Sequence, residues 1–367
     1  MPIIIYSAIF VLFICSFRIN KGDYFLDKQS STVLKGFFIL MIVISHILNE
    51  FPYSGLFSWQ IGFARGLLGQ LVVSMFFFIS GYGIIVSIER KGTIYQKTIL
   101  TNRFIRIFMY GCVSVIPFII YSLCMQIKHP IEDYFLVFIG IKSFGNASWF
   151  LFAILVCYLS CSIFFAFNFK NRYIAPSLVS ASILLYVIIM YLFKAPYYKW
   201  DTIICFIFGM FISLARKKLN SFFNKSKFLP YFAMAFSFVL VVVIRYFNYC
   251  KYNYFFPLLL EMWFTNFFFC FFFVALTKVF SFKSSILTFL GNASFSIFIM
   301  HYLPIRCFLN FGLIQNENLN YILVFSLRLA VGIPFHYLYK LIDKFITNPI
   351  VEYNKSLINC NANGKEN

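Results

Sequence analysis

Charge is scarce in this sequence of 367 residues, and negative charge is scarcest: only 12% of residues are charged, with 12 Asp and Glu against 31 Lys and Arg. A soluble domain carries about twice that charged fraction, so a water-soluble globular fold is excluded. Histidine is rarer still, at 4 residues, and none of the 10 cysteines stands in a CxxC or Cys/His ligand spacing. Neither a metal site nor a disulfide framework is therefore expected. Cys157 and Cys161, one helical turn apart, read as small core residues. No polar stretch is long enough for a separate soluble domain. The net charge of +19 does not point to nucleic acid, because the basic residues cluster in short loops between apolar runs, where membrane topology accounts for them.

What is present is hydrocarbon. Hydrophobic residues make up 61% of the chain, 54 of them Phe, in runs of about 16 to 25, and one membrane crossing needs about 20. The runs do not alternate in polarity as barrel strands do. The fold class is thus all-α, a polytopic transmembrane helix bundle. Spans are expected at about 2–17, 35–51, 66–88, 104–127, 147–167, 174–193, 200–215, 229–247, 255–280, 286–308 and 319–341. They make ten core spans plus one extra N-terminal span. The first lacks a basic leader and a small-residue cleavage site, so it reads as an anchor rather than a signal peptide. Residues 1–30 form that anchor and a cytoplasmic loop, 31–347 the main membrane domain, and 348–367 a polar tail expected to be disordered.

Alternate loops set the orientation. Arg18, Lys21, Lys28, Arg90, Lys91, Arg216, Lys217, Lys340 and Lys344 fall on one side, and Glu50, Glu132, Asp133 and Asp201 on the other. The basic side is cytoplasmic, which places the N-terminus outside and the C-terminus inside. Tyr53, Trp59, Trp149, Trp200, Tyr252 and Tyr254 lie near outer span ends, as an interfacial aromatic belt should.

Several constellations interrupt the oil. In LKGFFILMIVISHILNEF, Lys35 and His46 are eleven positions apart. That is three helical turns plus about 20°, so they share a face about 16 Å apart along the axis. Ionisable groups at such depth face protein or water and mark functional sites. The plainer readings are a snorkelling lysine and a core histidine. Glu50, one turn beyond His46, is placed to orient the imidazole, or is an ordinary outer-loop acid. Arg103 and Arg106 in TNRFIRIF are three apart at a cytoplasmic span start. Two guanidiniums there suit phosphate groups, though topology alone also explains them. GQLVVSMFFFISGYGI offers Gly69, Ser74, Ser80, Gly81 and Gly83 for close helix packing. Trp149 reads as a belt residue or an aromatic wall for a sugar or acyl group. His301 falls at a depth like that of His46, as a core residue or a second member of one cavity.

In this order the motifs resemble the acyltransferase-3 family of integral membrane acyltransferases. They are a basic residue and a histidine separated by ten (Lys35, His46), FFxSG (Phe77, Phe78, Ser80, Gly81), RxxR (Arg103, Arg106), WFL (Trp149, Phe150, Leu151) and LGxxSF…H (Leu290, Gly291, Ser294, Phe295, His301). The resemblance covers about residues 30–345 and implies a ten-span core in the bacterial cytoplasmic membrane. It implies an acyl-CoA donor, with acetyl-CoA the default, and O-acylation of a carbohydrate or lipid-linked sugar, often in a surface polysaccharide. It departs from some members in its extra N-terminal span and in lacking an appended soluble esterase-like domain. On this reading Lys35, Arg103 and Arg106 bind the donor's phosphates. His46 is general base or acyl carrier, Glu50 and His301 assist, and Trp149 contacts the acceptor. The alternative is a transporter or flippase of a lipid-linked sugar, which predicts internal repeats and paired broken helices. The sequence displays neither by eye.

Overall fold

The computed structural model describes residues 2–20, 22, 24–51, 53–250, 255–311 and 317–363. Lys21, Tyr252, Tyr254 and residues 364–367, assigned above to loops, belt and tail, lie outside the described residues. The helices are α1 Pro2–Ile14, α2 Lys28–Glu50, α3 Ser58–Lys97, α4 Arg106–Cys124, α5 Ile131–Leu136, α6 Ser148–Phe165, α7 Ile174–Leu192 and α8 Ile204–Leu214. They continue as α9 Arg216–Phe223, α10 Phe228–Cys250, α11 Phe255–Val279, α12 Ser285–Asn292, α13 Ser294–Met300, α14 Tyr302–Phe311, α15 Glu317–Ile342 and α16 Asn348–Asn363. Among the described residues nine helices are long and apolar enough to cross a membrane, or ten if the pair broken at Ala293 is one span. This is the all-α polytopic bundle that the composition calls for.

Three details go beyond the sequence reading. α1 has 13 residues, about 20 Å, and so falls short of a hydrocarbon core about 30 Å thick. The chain leaves it through strand β1 (Phe17–Ile19), which pairs antiparallel with β2 (Phe280–Phe282). The tail expected to be disordered is helical from Asn348 to Asn363. Trp200 and Asp201, assigned to the outer belt and loop, are buried.

The chain divides into two units, residues 1–83, 200–294 and 312–327, and residues 84–199, 295–311 and 328–367. In the first, helices meet backbone to backbone. A Cβ on Gly36 would strike the Leu287 carbonyl of α12, and one on Gly291 would strike the Thr32 carbonyl of α2. Gly81 of α3 and Gly209 of α8 make the same reciprocal contact, with the carbonyls of Phe206 and Phe78. Without a hydrophobic drive between helices in lipid, such small-residue contacts carry association. Of the other small residues read as packing sites, Gly83 faces open space, where a Cβ would meet nothing within 4 Å, and Ser74 donates to the Leu71 carbonyl at 2.5 Å.

Both ends of α2 are fastened within this unit. The Asp27 carboxylate accepts from Ser30 N–H at 2.7 Å as N-cap. At the other end Arg65 Nη1 donates to the Leu48 carbonyl at 3.2 Å, and the Tyr321 hydroxyl to the Phe51 carbonyl at 2.9 Å. A cation suits that end of the helix dipole. Phe13 of α1 stacks on Phe37 of α2 with ring centres 4.1 Å apart.

The second unit has a core of Val115, Phe118, Val137, Phe144 and Met300. α5 exposes Ile131 and Phe135. Gly92 takes φ 66° inside α3 and kinks it, a conformation that favours glycine.

Gly36→Ala is expected to destabilise the protein by about 1–3 kcal/mol, since backbone must move to admit the methyl group. Gly83→Ala, in open space, should be neutral or slightly stabilising. Unfolding of both variants in detergent checks this, and equal effects would refute the role given to backbone contact.

Candidate active site

α2 is enclosed almost completely. From Thr32 to Leu48 every residue is buried except Lys35 and His46, which are half-buried. One unbroken helix carries both, so the shared face inferred from their spacing holds. The buried Ile39 and Ile42 lie between them on that face. The side chains of Lys35 and His46 are thus where this helix opens to its surroundings. Glu50 ends α2 and is exposed, and among the described residues no hydrogen bond joins it to His46.

The first unit also holds a buried polar group missed in the sequence. Asp201 is fully buried; its Oδ1 accepts from Gln70 Nε2 at 3.0 Å, and its main-chain carbonyl accepts from Asn266 Nδ2 at 3.5 Å. Spacing could not reveal it, because Gln70 and Asn266 lie 131 and 65 positions from Asp201 along the chain.

The remaining candidates belong to the second unit. Arg103 lies in a π-helical segment, Leu100–Ile105, and Arg106 begins α4 immediately after it. A π turn takes an extra residue, so the pair is not presented as α-helical spacing suggests, and the two side chains find different partners. Arg103 Nε donates to the Tyr95 hydroxyl at 2.9 Å. Arg106 Nη2 donates to Asn348 Oδ1 at 2.8 Å, and its Nε stands 3.0 Å from Asp343 Oδ1, at ion-pair distance but off-line for a hydrogen bond.

His301 is fully buried, with Nδ1 2.6 Å from the Phe298 carbonyl. A carbonyl can only accept, so Nδ1 carries the proton in that contact. The Tyr302 ring lies beside the imidazole at 4.2 Å and also faces the buried Arg328 guanidinium at 6.0 Å. Trp149, second residue of α6, packs edge-on against Tyr198 at 5.9 Å. Cys157 and Cys161 of the same helix are fully buried, as small core residues should be.

A family model described as an acyltransferase domain, that of the acyltransferase-3 family, matches residues 24–338. The chain belongs to the acyltransferase-3 family. Comparison with curated proteins and with solved structures gives no match. As an acyltransferase-3 domain, the matched region contains Lys35, His46, Arg103, Arg106, Trp149 and His301 and excludes Asp343 and Asn348. Two of the family-like motifs also have a packing role, since Gly81 of FFxSG and Gly291 of LGxxSF are both points of backbone contact.

Tyr95→Phe keeps the ring and removes the acceptor for Arg103. A hydrogen bond to a charged group contributes about 1.5–3 kcal/mol, and the half-buried setting favours the lower figure. Chemical denaturation in detergent should show that loss, and an unchanged midpoint would mean the bond contributes nothing.

Proposed function

We propose that this membrane acyltransferase moves an acetyl or short acyl group from cytoplasmic acyl-CoA to a sugar hydroxyl of a surface polysaccharide or its lipid-linked precursor. The observation that carries the reading is the pair of openings in α2 at Lys35 and His46, in a helix otherwise buried from Thr32 to Leu48. A cation and an imidazole about 16 Å apart on one face suit a donor with phosphates at one end and a thioester at the other.

In this reading Lys35, Arg103 and Arg106 each attract the donor's phosphates. His46 accepts the proton of the attacking sugar hydroxyl while its oxygen bonds to the thioester carbonyl. The tetrahedral intermediate then expels CoA thiolate, which takes up a proton. An acyl-imidazole formed first on His46 is the competing order of events. The burial of His301, and the engagement of its Nδ1 with a carbonyl, favour His46 as the base and leave His301 a supporting role beside the acceptor. Trp149 offers an aromatic face to that acceptor, and Glu50 supplies negative charge near the outer end of α2. No metal is required. The basic loops support placement in the bacterial cytoplasmic membrane with the C-terminus inside.

Membranes incubated with radiolabelled acetyl-CoA test the proposal. His46→Ala should lower transfer to the glycan acceptor by about 10²- to 10⁴-fold, the usual contribution of a general base. Lys35→Ala should chiefly raise KM for acetyl-CoA. Labelling that survives His46→Ala unchanged would sink the mechanism. Movement of a lipid-linked sugar without any need for CoA would favour a flippase.

A further inference from the structure

We propose that the segment Asp343–Asn348 is a positioning element for Arg106, holding one edge of the guanidinium so that its other donors address a phosphate of the acyl donor. The proposal rests on the reading that Arg106 meets that donor.

An arginine presents five N–H donors in one plane. Asp343 and Asn348 occupy the edge formed by Nε and Nη2. Nη1 makes no hydrogen bond among the described residues, and Nη2 keeps a second hydrogen. Those atoms form the end-on fork that pairs with two phosphate oxygens. Asp343 and Arg106 are 26% and 29% exposed, so neither is sealed in the core.

The arrangement is built from both sides. One turn beyond Arg106, Tyr110 stacks on Tyr339 with ring centres 4.2 Å apart, and Tyr339 stands one turn before Asp343. The Tyr339 hydroxyl is hydrogen-bonded to Ser114. This stack sets the register of α4 against α15 and brings Arg106 opposite Asp343. Each charged residue also stands at a junction of α and π geometry: Leu100–Ile105 is π-helical and ends at Arg106, while Asp343–Thr347 is π-helical and begins at Asp343. A π turn re-aims the residues that follow it and is frequent at functional sites. Thr347 Oγ1 donates to Asp343 Oδ1 at 2.6 Å and steadies the carboxylate. Asp343 and Asn348 lie beyond the matched residues 24–338.

A positioning role and a competing one predict opposite signs. If Asp343 merely occupied Arg106, removing it would free the guanidinium and tighten phosphate binding. If it orients Arg106, removing it loosens the fork and weakens binding.

The test uses the full chain in nanodiscs, with CoA binding followed by calorimetry and acetyl transfer by steady-state kinetics. Asp343→Ala is expected to weaken CoA binding and raise KM for acetyl-CoA by about tenfold, with kcat within about twofold, the scale of one lost charge-assisted hydrogen bond. Asp343→Asn, which keeps an acceptor oxygen, should recover most of that loss, and Asn348→Ala should show a smaller change of the same sign. Tighter CoA binding by Asp343→Ala, or no change, would overturn the inference. Arg106→Ala separates the two levels. If it binds CoA as well as the unaltered protein does, the reading of Arg106 fails and this inference with it. If Arg106→Ala binds weakly while Asp343→Ala is unchanged, only the positioning role fails.

Discussion

The contact on which the first unit depends is made by backbone rather than side chains. Gly36 lies against the Leu287 carbonyl, and Gly291 against the Thr32 carbonyl. Each glycine is there because no other residue leaves room, and in lipid such close approach is what holds helices together. The consequence falls on the neighbouring residue. With Gly36 fixed against α12, Lys35 is turned about 100° away from that contact and emerges at one of the two openings in α2. His46 follows at the other because the helix runs unbroken to Glu50. A packing constraint thus aims two ionisable groups.

The same logic operates in the second unit with aromatic rings in place of glycine. The Tyr110–Tyr339 stack fixes the register of two helices and thereby the meeting of Arg106 with Asp343 and Asn348. Lys35 and His46 belong to the first unit, and Arg103, Arg106 and His301 to the second. Each unit presents a polar group from a rigid, apolar frame, as binding and catalysis require.

Much of this was legible in the sequence, for identifiable reasons. Helix spans follow from long apolar runs, and the common face of Lys35 and His46 from an eleven-residue spacing in one regular helix. Order of motifs pointed to the family. What periodicity does not encode is the ring size of the hydrogen bonds: TNRFIRIF reads as α-helix, and only the structure reveals the π segment that sends Arg103 to Tyr95 and Arg106 to Asp343. Long-range pairing was equally invisible. Phe17–Ile19 read as the junction of a span and a basic loop, and nothing local in it announces the strand it forms with Phe280–Phe282. Asp201 looked like a loop acid because its amide donors come from elsewhere in the chain. The polar composition of Asn348–Asn363 suggested disorder, yet the segment continues from a long helix that needs no new nucleus.

Everything said of the site turns on α2 opening to its surroundings at two positions on one face and nowhere between them. Single cysteines at 35, 39, 42 and 46 in a cysteine-free background, treated with a water-soluble maleimide, test this directly. Modification at 35 and 46 with protection at 39 and 42 is the expected result. Uniform modification of all four, or protection at 46, would contradict it.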